Sequence, residues 1–351
     1  MDVFIVMYIL FALLFMFTKA NSRAKSNNES LIIFIICFIY MWMLLAFRSP
    51  TVGNDLKNIL PQFENATFGS DALFSYDEGG REWGWQVLLR LIAFFTNNFQ
   101  IVIVVTSTIT LLPVLYVLKK QSSDVLLSIV IYASFIIYHF SFSGIRQSIA
   151  LALTTVSYLF IIKNKPVQFI ALVFLAYLFH KSALVFLIAY PLSKVKFKPV
   201  VVFGLAIAVV LSISVFGGVI QSITAFIFPD DSYMNYFTEK AGAYHLAIIY
   251  LLFLVFTFIK KGDSENDPLF FYRWMISICF LLQILGMVSY NVTRITYYFI
   301  PYICLAFPSA IANIKGKSYV GVAIAILMCA FFFYNNAGGY LNVIPYSFFW
   351  D

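Results

Sequence analysis

Two stretches of this chain set cations beside long apolar runs. Phe142-Ser143-Gly144-Ile145-Arg146-Gln147-Ser148 opens one run. Phe179-His180-Lys181-Ser182 closes the next, after a short Lys163-Asn164-Lys165 break. If both runs cross a bilayer, Arg146 and the His180-Lys181 pair return to the same face. Cations held at one depth beside apolar walls suit an anionic ligand arriving from lipid, and the chemistry points to a lipid pyrophosphate. Gly144 lets backbone come close to such a ligand, and the helix N-terminus behind it offers N–H groups to an anion.

Arg294 stands in a similar place, within Asn291-Val292-Thr293-Arg294-Ile295-Thr296-Tyr297-Tyr298-Phe299 at the start of a helix on the same side. Two arginines so placed can grip one pyrophosphate through bidentate hydrogen bonds. Arg48, Arg81 and Lys181 are further cations at helix ends on that side, and Gln147 follows Arg146. Plainer readings stand beside these: a snorkelling Arg48, an Arg294 in an aromatic belt, a structural His180. A charge at membrane depth is costly, however, and marks function by default. His139 and His245 lack a charged neighbour in the sequence and read as structural.

Glu82 and Asp55 are the best-placed acids. Either of them, or His180, suits a base that takes a proton from an attacking hydroxyl, and the residues alone do not choose among the three. Breaking a bond at an anomeric carbon builds oxocarbenium character. A pyrophosphate leaving group needs its charge neutralised, which arginines do without a metal. Asp230-Asp231 looks like a metal-binding pair but reads as a solvated turn after Pro229. Trp83, Trp85, Tyr233, Tyr236 and Tyr346 suit sugar stacking or interface anchoring equally. Four cysteines and three histidines without cluster spacing predict no metal site, no disulfide and no cofactor.

The elements that must hold these residues are membrane helices. The 351 residues are 62% hydrophobic and 11% charged, where a soluble domain carries about 25% charged residues. Runs such as Leu31–Phe47, Ile101–Leu118 and Leu269–Val288 are nearly uncharged, and about 20 apolar residues cross the hydrocarbon core. Solid apolar runs, without alternation, exclude a barrel. The expected fold is all-α: a polytopic transmembrane helical protein of about 12 spans (10–12) forming a single integral membrane domain over 1–351.

Helices are expected near 2–17, 31–47, 99–118, 124–140, 147–162, 166–180, 182–193, 199–216, 244–259, 269–288, 297–312 and 318–334. The 166–180 and 182–193 spans are short, so one of them reads as broken or re-entrant. Fourteen of the 23 Lys and Arg residues fall in the alternate loops assigned to the cytoplasm, in line with the positive-inside rule. The net charge of +7 is therefore a matter of topology and implies no nucleic acid. Cations follow the first run (Lys19, Arg23, Lys25), which predicts a first span with its N-terminus outside rather than a cleaved signal. Two long loops, 48–98 and 217–243, then lie outside, the first ending in a short amphipathic segment at 83–95.

The sequence resembles the EpsG family of Wzy-type polysaccharide polymerases. The likeness is carried by Arg48 with Val52-Gly53-Asn54-Asp55, by Glu82-Trp83-Gly84, by Phe142-Ser143-Gly144-Ile145-Arg146-Gln147-Ser148, by Phe179-His180-Lys181-Ser182-Ala183-Leu184, and by Arg294 with Tyr297-Tyr298-Phe299. The Gly-Ile-Arg-Gln and His-Lys-Ser pieces are the most specific. Asn54 stands where the family often has Thr, and Trp83 where Pro is common. The resemblance implies a GT-C-like membrane glycosyltransferase in the bacterial inner membrane, working on the periplasmic or outer face. It would join undecaprenyl-pyrophosphate-linked oligosaccharide repeat units into O-antigen, capsule or exopolysaccharide. It also implies a chain-length regulator as partner.

Two other classes compete. A transporter or flippase for a lipid-linked sugar would favour charges near the midplane, whereas the ionisable residues here are one-sided apart from Arg273. A membrane acyltransferase would want its histidine open to the cytoplasm, and His180 is assigned to the other side.

Overall fold

The computed structural model describes residues 2–20, 27–68, 82–227, 240–260, 267–287, 290–336 and 340–351. Among them the regular elements are all helices, in chain order α1 (Asp2–Ala20), α2 (Asn27–Ala46), α3 (Leu56–Phe68), α4 (Trp83–Phe95), α5 (Phe99–Gln121), α6 (Val125–Ser134), α7 (Ile136–Ser143), α8 (Ile145–Ile162), α9 (Pro166–Tyr177), α10 (Ala189–Leu192), α11 (Pro199–Ile227), α12 (Lys240–Phe256), α13 (Leu269–Leu285), α14 (Tyr290–Ile295), α15 (Pro301–Ile311) and α16 (Lys317–Asn336). Four described helices are long and apolar enough to cross a membrane alone, and a fifth span arises if the bent pair α6–α7 counts as one. The remaining apolar helices run 10–17 residues. The protein is an all-α polytopic membrane protein.

Local chemistry explains the helix ends. Asn98 caps α5 by accepting Gln100 N–H, and Lys119 and Lys120 sit in its last turn, where cations complement the helix dipole. Asp124 caps α6 by accepting Leu127 N–H. Pro166 opens α9, where its missing N–H costs nothing.

Three segments differ from the sequence expectation, and a fourth matches it. The single helix expected at 124–140 is broken at Phe135, whose backbone is extended (ψ 160°), and the halves bend by 54°. Ser134 Oγ donates back to Val130 O at 2.7 Å just before the break, a bond that bends helices. A helix, α3, lies inside the loop expected to be irregular: Leu56, Ile59 and Phe63 form its buried face. The helix expected to end at 216 continues as α11 to Ile227, with a kink at Phe216 (φ −117°, ψ 15°). The short spans after 166 resolve into α9, then a 3-10 turn over Lys181–Ile188, then α10, which is the broken arrangement expected there.

The chain forms two compact units. The first comprises Met1–Leu184 and Lys315–Asp351, the second Val185–Ile314. In the first, α8 is the central helix, packing along α5 and α9, while α5 also packs on α2. The second is built on α12 and α13, with α15 and α11 against α13. Arg273, buried in α13, donates Nε to Thr257 Oγ1 (3.1 Å) and Nη2 to Thr257 O (2.8 Å). Its guanidinium also lies over the Phe258 ring at 4.4 Å. Lys260 pairs with Asp267, which caps the start of α13 at Leu269 N–H.

Candidate functional site

One hydrophobic cluster in the first unit explains why residues far apart in sequence meet. Leu56, Ile59 and Phe63 of α3, Trp85, Leu89 and Ile92 of α4, Val102 and Ile103 of α5, and Ile145 and Ile149 of α8 are buried together, with Phe179 packed against them. Each is near a residue that bears chemistry: Asp55 precedes Leu56, Glu82 begins the turn leading to Trp85, Arg146 follows Ile145, and His180 follows Phe179. Packing the helix ends therefore gathers the polar residues. Trp85 Nε1 donates to Gln62 Oε1 at 2.9 Å and ties α4 to α3.

The start of α8 carries the closest contacts. Its N-cap residue, Gly144, has no side chain to cap with. Asp55 does so from another part of the chain: its Oδ2 accepts Ile145 N–H at 3.2 Å. A carboxylate at a helix N-terminus is favoured by both the unpaired N–H groups and the helix dipole. The next residue, Arg146, donates Nη1 to Glu82 Oε2 at 2.5 Å. Glu82 is itself the extended N-cap residue of α4 and makes no cap bond with its side chain, which reaches Arg146 instead.

Exposure divides this ion pair unequally: 37% for the Arg146 side chain and 12% for Glu82. The carboxylate is sheltered while the guanidinium faces outward, and arginine has five N–H donors. Because Glu82 is largely buried, parting it from Arg146 costs more than the ~0.2–1 kcal/mol of an exposed pair, and an anion that takes the guanidinium must offset that cost.

The His180 segment is docked on the same place. Gly84 N–H donates to Leu178 O at 2.8 Å. Glu82 and His180 each lie two positions from that bond. A Cβ on Gly84 would fall 2.8 Å from Leu178 O and 2.9 Å from Leu178 Cβ, so the approach requires glycine. His180 Nδ1 lies 2.8 Å from Ser182 Oγ. With the hydroxyl donating, Nδ1 accepts and the neutral ring carries its proton on Nε2.

Arg48 is 1% exposed and tightly enclosed. Nη1 donates to Leu45 O (3.2 Å), the guanidinium lies 5.0 Å from the Phe142 ring centre, and Nε has no hydrogen-bond partner. Burial lowers its pKa to about 10, so it stays protonated at neutral pH. Burial also raises the Tyr346 phenol, which donates to Leu44 O at 2.9 Å.

The remaining sequence candidates fall elsewhere. Gln147 is buried, 2% exposed, and Lys181 is exposed at the head of the 3-10 turn. Arg294 is half-buried at the end of α14, in the second compact unit. Arg81, Asp230, Asp231, Tyr233 and Tyr236 lie outside the described residues. His139 is enclosed by the rings of Phe4, Tyr138, Phe142 and Phe332.

Sequence reasoning missed Ser143 and the segment around Leu341 and Asn342. Ser143 Oγ accepts Asn54 N–H (3.0 Å) and donates to Leu341 O (2.7 Å). Backbone acceptors of this kind leave no mark on residue type. Ser143 itself stood inside the Gly-Ile-Arg-Gln stretch, where its place just before the glycine was the available signal.

Against known proteins, the model of the EpsG family matches residues 31–348. No curated protein and no solved structure matches the chain.

Proposed function

The chain belongs to the EpsG family, a family of Wzy-like polymerase and glycosyltransferase proteins, and from that premise we propose that it is a polysaccharide polymerase. It joins undecaprenyl-pyrophosphate-linked oligosaccharide repeat units into O-antigen, capsule or exopolysaccharide. It works on the periplasmic or outer face of the bacterial inner membrane, with a chain-length regulator as a further partner. The observation that carries this reading is the gathering of Asp55, Glu82, Arg146 and the His180 segment at helix ends around one cluster.

In the proposed reaction a hydroxyl oxygen of the incoming lipid-linked unit attacks the anomeric carbon of the growing chain. The bond from that carbon to the pyrophosphate oxygen breaks, and its electron pair leaves with the lipid pyrophosphate. The hydroxyl proton passes to Glu82, Asp55 or His180. Of these, Glu82 has the most direct coupling to the leaving group: the anion that binds Arg146 releases the carboxylate that Arg146 holds. Arg146 binds the donor pyrophosphate. Arg81 or Lys181 assists at the second lipid's phosphate, while Arg48 and Gln147, both buried, serve only by supporting the elements around them. Neutralising the leaving group is the larger electrostatic task and falls to the arginines.

The test uses purified protein in detergent with synthetic lipid-pyrophosphate-linked repeat units and no nucleotide sugar. A product ladder on a gel, lost in both Arg146→Ala and His180→Ala, is the expected result. A folded wild type that makes no ladder from its native repeat unit, yet carries that lipid across liposomes, overturns the polymerase in favour of a flippase.

A further inference from the structure

The segment 340–351 is bound into the first compact unit through its backbone. Phe349 N–H donates to Phe47 O (3.0 Å) and Ser49 N–H to Ser347 O (2.9 Å), an antiparallel pairing centred on Arg48 and Phe348. Upstream, Gly53 N–H donates to Asn342 O (2.8 Å) and Asn342 Nδ2 to Thr51 O (3.0 Å). Between these strips sits the Ser143 hydroxyl, joined to Asn54 N–H and to Leu341 O.

Backbone conformation marks the same spot. Leu341 (φ 69°) and Asn342 (φ 52°) are both left-handed, which is uncommon outside glycine and an outlier for a bulky side chain. Such residues persist where their surroundings over-determine them, and they cluster at functional sites. Gly53 (φ 96°) faces them, and a Cβ there would fall 2.0 Å from Phe142 O.

We propose that Ser143 and the Leu341-Asn342 pair are positioning residues for glycosyl transfer. They lock the 51–55 turn, and so hold the Asp55 carboxylate on the Ile145 N–H that aims Arg146. The inference rests on the polymerase reading above. The route is short: Ser143 Oγ fixes Asn54, Asn54 adjoins Asp55, and Asp55 caps the residue before Arg146. Without the hydroxyl, the Asn54 N–H and the Leu341 carbonyl lose their shared partner, the turn loosens, and the first turn of α8 loses its cap. Binding of an anion by charge survives a small displacement of Arg146, whereas alignment of the reacting atoms does not.

The experiment compares the full-length wild type with Ser143→Ala, Ser143→Thr, Asn342→Val and Asn342→Gly in detergent. Polymerisation rates are measured against lipid-linked unit concentration, and amide hydrogen exchange is followed over 51–56 and 144–148. Ser143→Ala is expected to lower kcat about tenfold or more with KM within about twofold, the split that marks lost alignment. Exchange should quicken in those two segments alone. Ser143→Thr restores the rate because it restores the hydroxyl. Asn342→Val, whose β-branched side chain resists positive φ and carries no donor for Thr51 O, reproduces the alanine defect; Asn342→Gly keeps the backbone conformation but also loses that donor, so its defect is smaller than that of the valine variant. Wild-type kcat and exchange in Ser143→Ala overturn the proposal. So does a loss that Ser143→Thr fails to restore, or exchange that quickens evenly across the unit as general unfolding. A wild type that makes no polymer refutes the polymerase reading instead, and the exchange comparison still decides whether Ser143 holds the Asp55 contact.

Discussion

Arg146 Nη1 lies 2.5 Å from Glu82 Oε2, with the cation the more exposed partner. The carboxylate thus lies sheltered behind the more exposed guanidinium. Glu82→Gln should free Arg146 and lower the KM for the donor lipid while reducing kcat, by about 10²–10⁴ if Glu82 is the base. Arg146→Ala should raise KM and reduce kcat together. Initial-rate measurements on the two single variants and the double variant test this, and additive effects would argue that the ion pair has no part in turnover.

Asp55 is tested by one variant that removes its cap and one that keeps the cap without the charge. Asp55→Ala should cost about 1 kcal/mol of stability, the usual value of an N-cap, seen as a lower thermal midpoint. Asp55→Asn keeps an acceptor oxygen for Ile145 N–H and should leave the midpoint nearly unchanged. If the asparagine variant is also active, Asp55 positions α8 and does not take the proton.

Gly84→Ala drives a methyl group against Leu178 O and Cβ, 2.8 and 2.9 Å away. It should separate α4 from the end of α9 and abolish product while the protein still purifies as a monodisperse species. Gly204 has nothing within 4 Å of a new Cβ, so Gly204→Ala serves as the control and should be neutral or stabilising by about 0.5–1 kcal/mol. Equal activity loss in both would remove the argument for close approach at Gly84.

Ser182→Ala removes the hydroxyl beside His180 Nδ1. If that hydroxyl sets the ring's tautomer for proton transfer, kcat should fall, though less than in His180→Ala, with a changed pH–rate profile. A Ser182→Ala profile that superimposes on wild type would leave that hydroxyl without a role in proton transfer.

Much of the helical layout was legible because apolar runs of this length have few alternatives. The span expected at 99–118 is α5 at Phe99–Gln121, and the amphipathic segment at 83–95 is α4 at Trp83–Phe95. The misses have physical causes. Pro61 and a polar composition hid the Leu56, Ile59, Phe63 stripe of α3. The bend at Phe135 follows a serine back-bond that hydropathy does not register. In the site, the spacing put cations and acids at helix ends. Which acid meets which cation depends on tertiary packing, as with Glu82 and Arg146, 64 positions apart. The contacts of Leu341 and Asn342 run mostly through main-chain groups, which every residue type carries, so nothing in the sequence announced them.

The pairing of Asn342 with Thr51 spans 291 positions. During synthesis at about 5–20 residues per second, the Thr51 turn waits roughly 15–60 s for its partner to leave the ribosome. Through that interval the Thr51 carbonyl, the Gly53 N–H and Ser143 have water, lipid headgroups or a chaperone for company. Newly made molecules therefore pass through an inserted but unfinished stage, and the closing of this turn is a late step in their biogenesis.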